Sequence, residues 1–229
     1  MSPEFFDVIE RTLRVAAVAT AIIFVPAVIL GYVLARYDFP GKRLLSALTT
    51  LPLVLPPTAV GFLLLRLLAH DGWLGAGRLG VDLDLLLTWK AAVLASGLMS
   101  APLVVRTARV AFEGIDPRLE MMARTLGHGR VRMFFGFSLP MARRGLLAGV
   151  LLGFTRALGE FGATVTIAGN IPGRTQTLSA AIFEAQQVGD TARGNLYIVV
   201  AIGIGFLAIF TAELLAGRST AVVQGGKTG

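Results

Sequence analysis

Five apolar stretches constrain this chain more than any other feature of its sequence. An α-helix needs about 20 residues to cross the ~30 Å hydrocarbon layer of a bilayer. Stretches of that length cover residues 15–35, 44–65, 85–105, 145–168 and 196–216. Hydrophobic residues make up 55% of the 229 residues and charged residues only 15%, which is too few for the surface of a soluble domain. The sequence therefore predicts an all-α integral membrane protein with about five transmembrane helices, and it argues against a soluble enzyme.

Prolines and charges interrupt two of the five predicted spans. Pro52, Pro56 and Pro57 each remove a backbone donor from the second span, so we expect a kink or a local opening there. The fourth span contains Arg156 and Glu160, whose four-residue spacing places them on one helix face as an ion pair. Such a pair either holds helices together or lies at a translocation path or gate, where Arg156 attracts an anion.

The residues that usually hold metals are scarce in this sequence. The chain has no cysteine, and its two histidines, His70 and His128, are isolated from each other. Thiolate chemistry is therefore excluded, and a metal centre is not expected. We also expect no cofactor bound by this chain.

The distribution of the 21 basic residues predicts how the chain is oriented. Thirteen of them lie in three connecting segments, residues 36–43, 106–144 and 217–229. Seven lie in the other three segments, residues 1–14, 66–90 and 169–194. The more basic side faces the cytoplasm, so we expect the N-terminus outside and the C-terminus inside, with 217–229 as a disordered cytoplasmic tail. The net charge of +7 is then an orientation signal and does not indicate nucleic acid.

The predicted cytoplasmic segment 106–144 is long for a connection and shows structure of its own. Asp116 and Pro117 are typical of the N-cap and first position of a helix, which we expect to end at Gly127. A second short helix is predicted over residues 130–138, ending before Pro140. The two helices carry apolar faces formed by Leu119, Met122, Ala123 and Leu126 and by Phe134, Phe135 and Phe137. From periodicity alone, they form either a surface hairpin between spans or a helix that fits a groove on another protein.

This segment resembles the EAA signature of permease subunits of ABC importers. The signature reads Glu-Ala-Ala, three residues, Gly, nine residues and Ile-x-Leu-Pro. Its positions are filled here by Met121, Met122 and Ala123, preceded by Glu120, then by Gly127, Phe137, Leu139 and Pro140. The resemblance implies a coupling helix that docks in a groove of a cytoplasmic ATPase subunit.

Three further segments resemble molybdate-permease subunits. They are the Leu-Pro-Leu-Val-Leu-Pro-Pro run at 51–57, the run at 156–164, and Asn-Ile-Pro-Gly at 170–173 with Thr175 and Thr177. Sulfate permeases share much of the Gly-Glu-Phe-Gly stretch at 159–162, so this stretch indicates tetrahedral oxyanions as a group. Sulfate, thiosulfate and tungstate therefore stay open as alternative substrates.

The resemblance implies a type I ABC-importer permease fold without catalytic activity in this chain. It also implies a bacterial or archaeal cytoplasmic membrane location. The expected partners are two copies of an ATPase subunit that binds ATP and Mg, an extracytoplasmic oxyanion-binding protein, and a second copy of this chain. A secondary transporter is the alternative of another class, but it would usually show ion ligands in both halves of the chain.

Two sets of small or polar residues in the spans have more than one interpretation. Thr58, Thr164 and Asn170 either donate hydrogen bonds to an oxyanion or satisfy backbone groups left open near prolines and glycines. Gly145, Gly149 and Gly153 recur at every fourth position, which predicts close helix packing within the subunit or across a dimer.

Overall fold

The computed structural model describes residues 3–79, 84–116, 118–119, 121–122 and 129–217, and all regular secondary structure in these ranges is helical. The helices are α1 (Pro3–Arg36), α2 (Lys42–Val54), α3 (Pro57–Leu68), α4 (Ala76–Leu79), α5 (Trp89–Glu113), α6 (Arg130–Met133), a π-helical turn (Phe134–Ser138), α7 (Leu139–Leu158), α8 (Gly162–Ala168), α9 (Leu178–Gln187) and α10 (Thr191–Gly217). Of the tail predicted at 217–229, Gly217 ends α10, and residues 218–229 lie outside the described residues.

Four helices in the described ranges are long and apolar enough to cross a membrane, and α2 with α3 forms a fifth, broken candidate. The four are Glu4–Arg36, Trp89–Glu113, Val131–Leu158 and Thr191–Thr211. Several helices extend beyond the apolar stretches that predict them. The first begins at Pro3 rather than at residue 15, because the acidic residues in its first turns favour a helix start.

The second predicted span is broken at its prolines, which confirms the local opening that the sequence predicts as the alternative to a kink. Its two halves, α2 and α3, meet at an angle of 111°. Leu55 and Pro56 between them are extended, with ψ of 142° and 132°. Each of these residues precedes a proline, whose ring disfavours the α conformation of the residue before it. The consecutive prolines at 56 and 57 therefore end one helix and begin the next, while Pro52 is accommodated inside α2.

The prediction of one helix over residues 145–168 is wrong. The helix ends at Leu158, and a new helix begins at Gly162. The prediction that the preceding helix ends before Pro140 is also wrong, because helix continues from Arg130 through the π turn into α7. Within the π turn the Leu139 N–H donates to the Phe134 carbonyl, and this wider turn accommodates the proline that follows.

Contacts along the helices define the two ends of the bundle. Helices α1 and α5 run in the same direction, because a Cβ atom on Gly97 of α5 would lie 3.9 Å from Ala19 Cβ and one on Gly31 of α1 would lie 2.8 Å from Ala108 Cβ. Helix α7 runs the opposite way, because its Gly145 lies beside Ala111 of α5 and its Gly153 beside Val104. The Arg36 guanidinium, at the end of α1, donates to the Ile115 carbonyl just after α5 at 3.0 Å. The ends of α1 and α5 and the start of α7 thus lie together at what we call the loop end. The two most basic segments, 36–43 and 106–144, share this end.

The glycine ridge of α7 packs against α5 within the same chain. A Cβ atom added to Gly145 would lie 2.6 Å from Ala111 Cβ, and one added to Gly153 would lie 2.5 Å from Val104 Cγ2. At Gly149 the nearest atom would be Thr107 Cβ, at 3.2 Å. The ridge therefore lets the α5 and α7 backbones approach closely.

Replacing Gly145 by valine is expected to lower the free energy of unfolding by about 1–3 kcal/mol, because the Ala111 methyl group has no flexible end that can move aside. Gly203→Val is the matched control, since a Cβ atom there would meet nothing within 4 Å. The midpoint of thermal unfolding in detergent checks this expectation. Equal midpoints for the two variants would contradict the packing described here.

Candidate functional site

Glu160 lies in the break between α7 and α8 and is almost completely buried. Its side chain is 1% exposed, and Oε2 accepts a hydrogen bond from Arg156 Nη1 at 2.7 Å. Its other oxygen, Oε1, accepts from the Ala163 backbone N–H at 2.9 Å. The Arg156 side chain is 27% exposed. The four-residue spacing correctly predicts the Arg156–Glu160 pair. Glu160 lies beyond the end of the helix, however, and its two hydrogen bonds connect the end of α7 to the start of α8.

The two interruptions in the membrane helices lie side by side. A Cβ atom on Gly162 would lie 2.8 Å from Pro57 Cβ and 3.2 Å from the Thr58 nitrogen. A Cβ atom on Gly61 would lie 2.9 Å from Ala163 Cα. Glycine at 61 and 162 thus lets the start of α3 contact the start of α8. Irregular backbone at membrane depth is tolerated only where protein buries it or where it lines a water-filled cavity.

The two threonines predicted near this site have different environments. Thr58 is exposed, and its hydroxyl makes no hydrogen bond within the described part of the chain. Thr164 is buried, and its hydroxyl donates to the Phe161 carbonyl at 2.8 Å. In this conformation Thr164 therefore satisfies the backbone, whereas the exposed Thr58 hydroxyl has no hydrogen-bond partner among the described residues.

Asn170 belongs to a second polar cluster, beyond the other end of α8. Its Nδ2 donates to Glu184 Oε2 at 2.9 Å, and Gln176 Nε2 donates to the same oxygen. The seven residues of α8 separate this cluster from Glu160 by about 10 Å along the helix axis. Sequence reasoning did not find Glu184 or Gln176, because their contact depends on how α9 folds back onto the loop.

Arg11 and Thr12 of α1 hold this loop in place. The Arg11 guanidinium donates to the Gly173 carbonyl at 2.9 Å, and the Leu178 N–H donates to the Thr12 hydroxyl at 2.8 Å. The Asn-Ile-Pro-Gly segment is thus fixed between α1 and α9, at the end of the bundle opposite the loop end.

At the loop end, apolar side chains are exposed among basic residues. The Asp116 carboxylate accepts from the Arg118 N–H at 2.8 Å, which is the N-cap that the sequence predicts. Beyond it, Leu119, Met121 and Met122 are 45%, 58% and 65% exposed. The predicted coupling residues Glu120, Ala123 and Gly127 lie outside the described residues.

The closing residues of the EAA-like signature lie beside this surface. Leu139 is half-buried and packs near Phe112, while Pro140 is exposed. Pro140 and Leu119 both line one cleft of about 920 Å³. Pro140 at the end of the signature and Leu119 just before its start, 21 positions apart, therefore lie together at the loop end.

Comparison with known proteins identifies the family. The family described as "Binding-protein-dependent transport system inner membrane component" matches residues 27–219. This chain belongs to that family. The permease is 40% identical to the molybdenum transport system permease protein ModB of Escherichia coli K12, over 90% of both chains. It is 38% identical to the putative molybdenum transport system permease protein YvgM of Bacillus subtilis, over 90% of this chain and 92% of that protein.

Sulfate permeases are also related to this permease. The sulfate transport system permease protein CysT of Salmonella typhimurium is 36% identical over 95% of this chain, and the match covers 78% of that protein. Relatives named for molybdenum transport and relatives named for sulfate transport thus both belong to the oxyanion group that the 159–162 stretch indicates.

Solved structures confirm the fold. A bacterial ABC transporter for import of the polysaccharide alginate matches with a TM-score of 0.76 at 17% identity, covering 96% of this chain and 81% of that chain. The MetNI methionine ABC transporter matches with a TM-score of 0.67 at 16% identity, covering 95% and 99%. The permease therefore has the fold of an ABC-importer membrane subunit, and its family role is that of a non-catalytic permease.

Proposed function

We propose that this chain is the translocation subunit of an ATP-driven molybdate importer. The observation that carries this proposal is the 40% identity to ModB over nine tenths of both chains, with no large segment left unmatched on either side. CysT shares less identity and has more sequence outside the match, so sulfate is the second candidate substrate. Tungstate resembles molybdate in charge and shape, and it is expected to share the path.

Energy for transport comes from other subunits in this proposal. Two copies of a cytoplasmic ATPase bind ATP and Mg and close against the loop end. Exposed Leu119, Met121 and Met122 supply the apolar anchors for docking, and the cleft beside Pro140 passes the movement to α5 and α7. An extracytoplasmic oxyanion-binding protein delivers the substrate to the opposite end. This arrangement places the N-terminus outside and the C-terminus in the cytoplasm.

The translocation path runs beside the paired helix breaks. A second copy of the chain encloses the path, because a path bounded by about five helices needs further walls. The partly exposed Arg156 attracts the oxyanion, and exposed Thr58 offers a hydroxyl at the start of α3. Buried Glu160 balances the guanidinium charge, so that the anion is not held too strongly to leave. Because Glu160 joins α7 to α8, movement of α7 changes the gate directly.

Substrate choice is tested by uptake of labelled molybdate in cells that lack their own molybdate and sulfate systems. The permease is expressed with an ABC ATPase subunit and an oxyanion-binding protein from the same source. We expect that an excess of tungstate suppresses molybdate uptake and that the same excess of sulfate leaves it nearly unchanged. Suppression by sulfate as strong as that by tungstate would assign the chain to the sulfate permeases.

A further inference from the structure

A narrow apolar groove runs along the surface of the α1–α5 pair. It has a volume of about 400 Å³ and lies away from the helix breaks. Its walls are Ile22, Leu94 and Leu98, each more than a third exposed, and its floor is formed by buried Ala19 and Gly97. The small floor residues leave a channel between the larger side chains on either side.

Positive charge and an aromatic ring lie at one end of the groove. Trp89 and Lys90 both line it and are both exposed, and the Arg14 guanidinium lies 5.1 Å from the centre of the Trp89 ring. Lys90 makes no ion pair or hydrogen bond within the part of the chain that the structure describes. Tryptophan and basic side chains in this arrangement are typical of the level of lipid headgroups.

The length of the groove fits one leaflet of a membrane. Lys90 and Ala101 both line it on α5, and the helix rises about 17 Å over the eleven steps from one to the other. Half of the hydrocarbon layer is about 15 Å thick. A chain that enters at Lys90 would therefore reach close to the middle of the bilayer at Ala101.

A flexible hydrocarbon chain suits this groove, because every residue that lines it apart from Lys90 is apolar or glycine. A helix of a second subunit would compete for the same surface, and loss of subunit assembly in a groove-filling variant would reveal it.

We propose that the groove binds one acyl chain of an anionic phospholipid, whose headgroup lies against Lys90 and Arg14. Apolar contact with the groove holds the chain, and the two cationic groups select a net negative headgroup over a zwitterionic one. The bound lipid covers the gap between α1 and α5, the two helices that carry much of the buried core. This site is independent of the transported ion.

Native mass spectrometry of the purified, complete transporter tests the proposal with phosphatidylglycerol and phosphatidylcholine of identical acyl chains. Lys90→Gln is expected to weaken phosphatidylglycerol binding about fivefold and to leave phosphatidylcholine binding unchanged. Lys90→Arg retains the charge and should bind as the parent does. Arg66→Gln removes an exposed charge outside the groove and should have no effect.

Filling the groove provides the second arm of the test. Ala101→Leu is expected to weaken binding of both lipids, whereas the same exchange at Ala208 on α10 should weaken neither. Unchanged phosphatidylglycerol binding in Lys90→Gln, or unchanged lipid binding in Ala101→Leu, overturns the proposal. Loss of subunit assembly in Ala101→Leu with lipid binding intact also overturns it, because the groove would then hold protein.

Discussion

Glu160→Ala is expected to remove most of the folded permease. The substitution leaves the Arg156 guanidinium and the Ala163 N–H without the carboxylate that now accepts from both. Breaking a buried ion pair by removing one partner costs about 3–5 kcal/mol. Size-exclusion chromatography of the detergent-solubilised protein measures the folded fraction before and after heating.

Glu113→Ala is the matched control for this loss. Arg109 and Glu113 form a pair with the same spacing and the same 2.7 Å distance, but their side chains are 33% and 45% exposed. An exposed pair contributes about 0–1 kcal/mol, so this variant should retain most of its folded protein. Comparable losses of folded protein in the two variants would show that burial does not increase the contribution of the Glu160 pair to stability.

The double variant Arg156→Gln with Glu160→Gln separates the gate from the structural role of the pair. Two amides can hydrogen-bond to each other, and the glutamine oxygen at 160 can still accept from the Ala163 N–H. We therefore expect normal folding with molybdate uptake reduced at least tenfold. If the double variant is expressed normally and its molybdate uptake is unchanged, the Arg156–Glu160 pair has only a structural role.

Met121→Asp is expected to uncouple the permease from its ATPase. Removing an apolar anchor from the centre of an interface costs about 2 kcal/mol or more, which is roughly a 30-fold loss of docking affinity. A carboxylate at the 58%-exposed Met121 adds the cost of removing a charge from water. Co-purification of the ATPase subunit and uptake per ATP hydrolysed measure the effect.

Met121→Leu keeps an apolar side chain and should retain both docking and uptake. A bulky residue at Gly127, the glycine of the EAA-like signature, should produce the same uncoupling as Met121→Asp. If Met121→Asp assembles and transports normally, this surface is not where the ATPase docks.

Hydropathy predicts where the membrane helices lie, because bilayer thickness sets their length. It does not predict their interruptions equally well. The break at Pro56 and Pro57 has a local cause in the proline rings, so the sequence indicates it as a kink or a local opening. The break at residues 159–161 has no proline; Gly159 and Gly162 flank it, and Gly162 contacts the start of α3.

The candidate site shows the same distinction between local and distant contacts. Spacing predicts the Arg156–Glu160 pair because the two residues are one helical turn apart. It cannot show that Glu160 also accepts from the Ala163 N–H, since that bond requires a helix end at this position. The cluster of Asn170, Gln176 and Glu184 likewise forms only when α9 folds back.

Uptake of labelled molybdate into proteoliposomes tests whether ATP drives import through this permease. The vesicles contain the permease with its ATPase, the binding protein is added outside, and ATP is enclosed inside without any ion gradient. We expect accumulation that requires both ATP and the binding protein and that Met121→Asp abolishes. Accumulation in parallel vesicles that lack ATP but carry a proton or sodium gradient would instead indicate a secondary transporter.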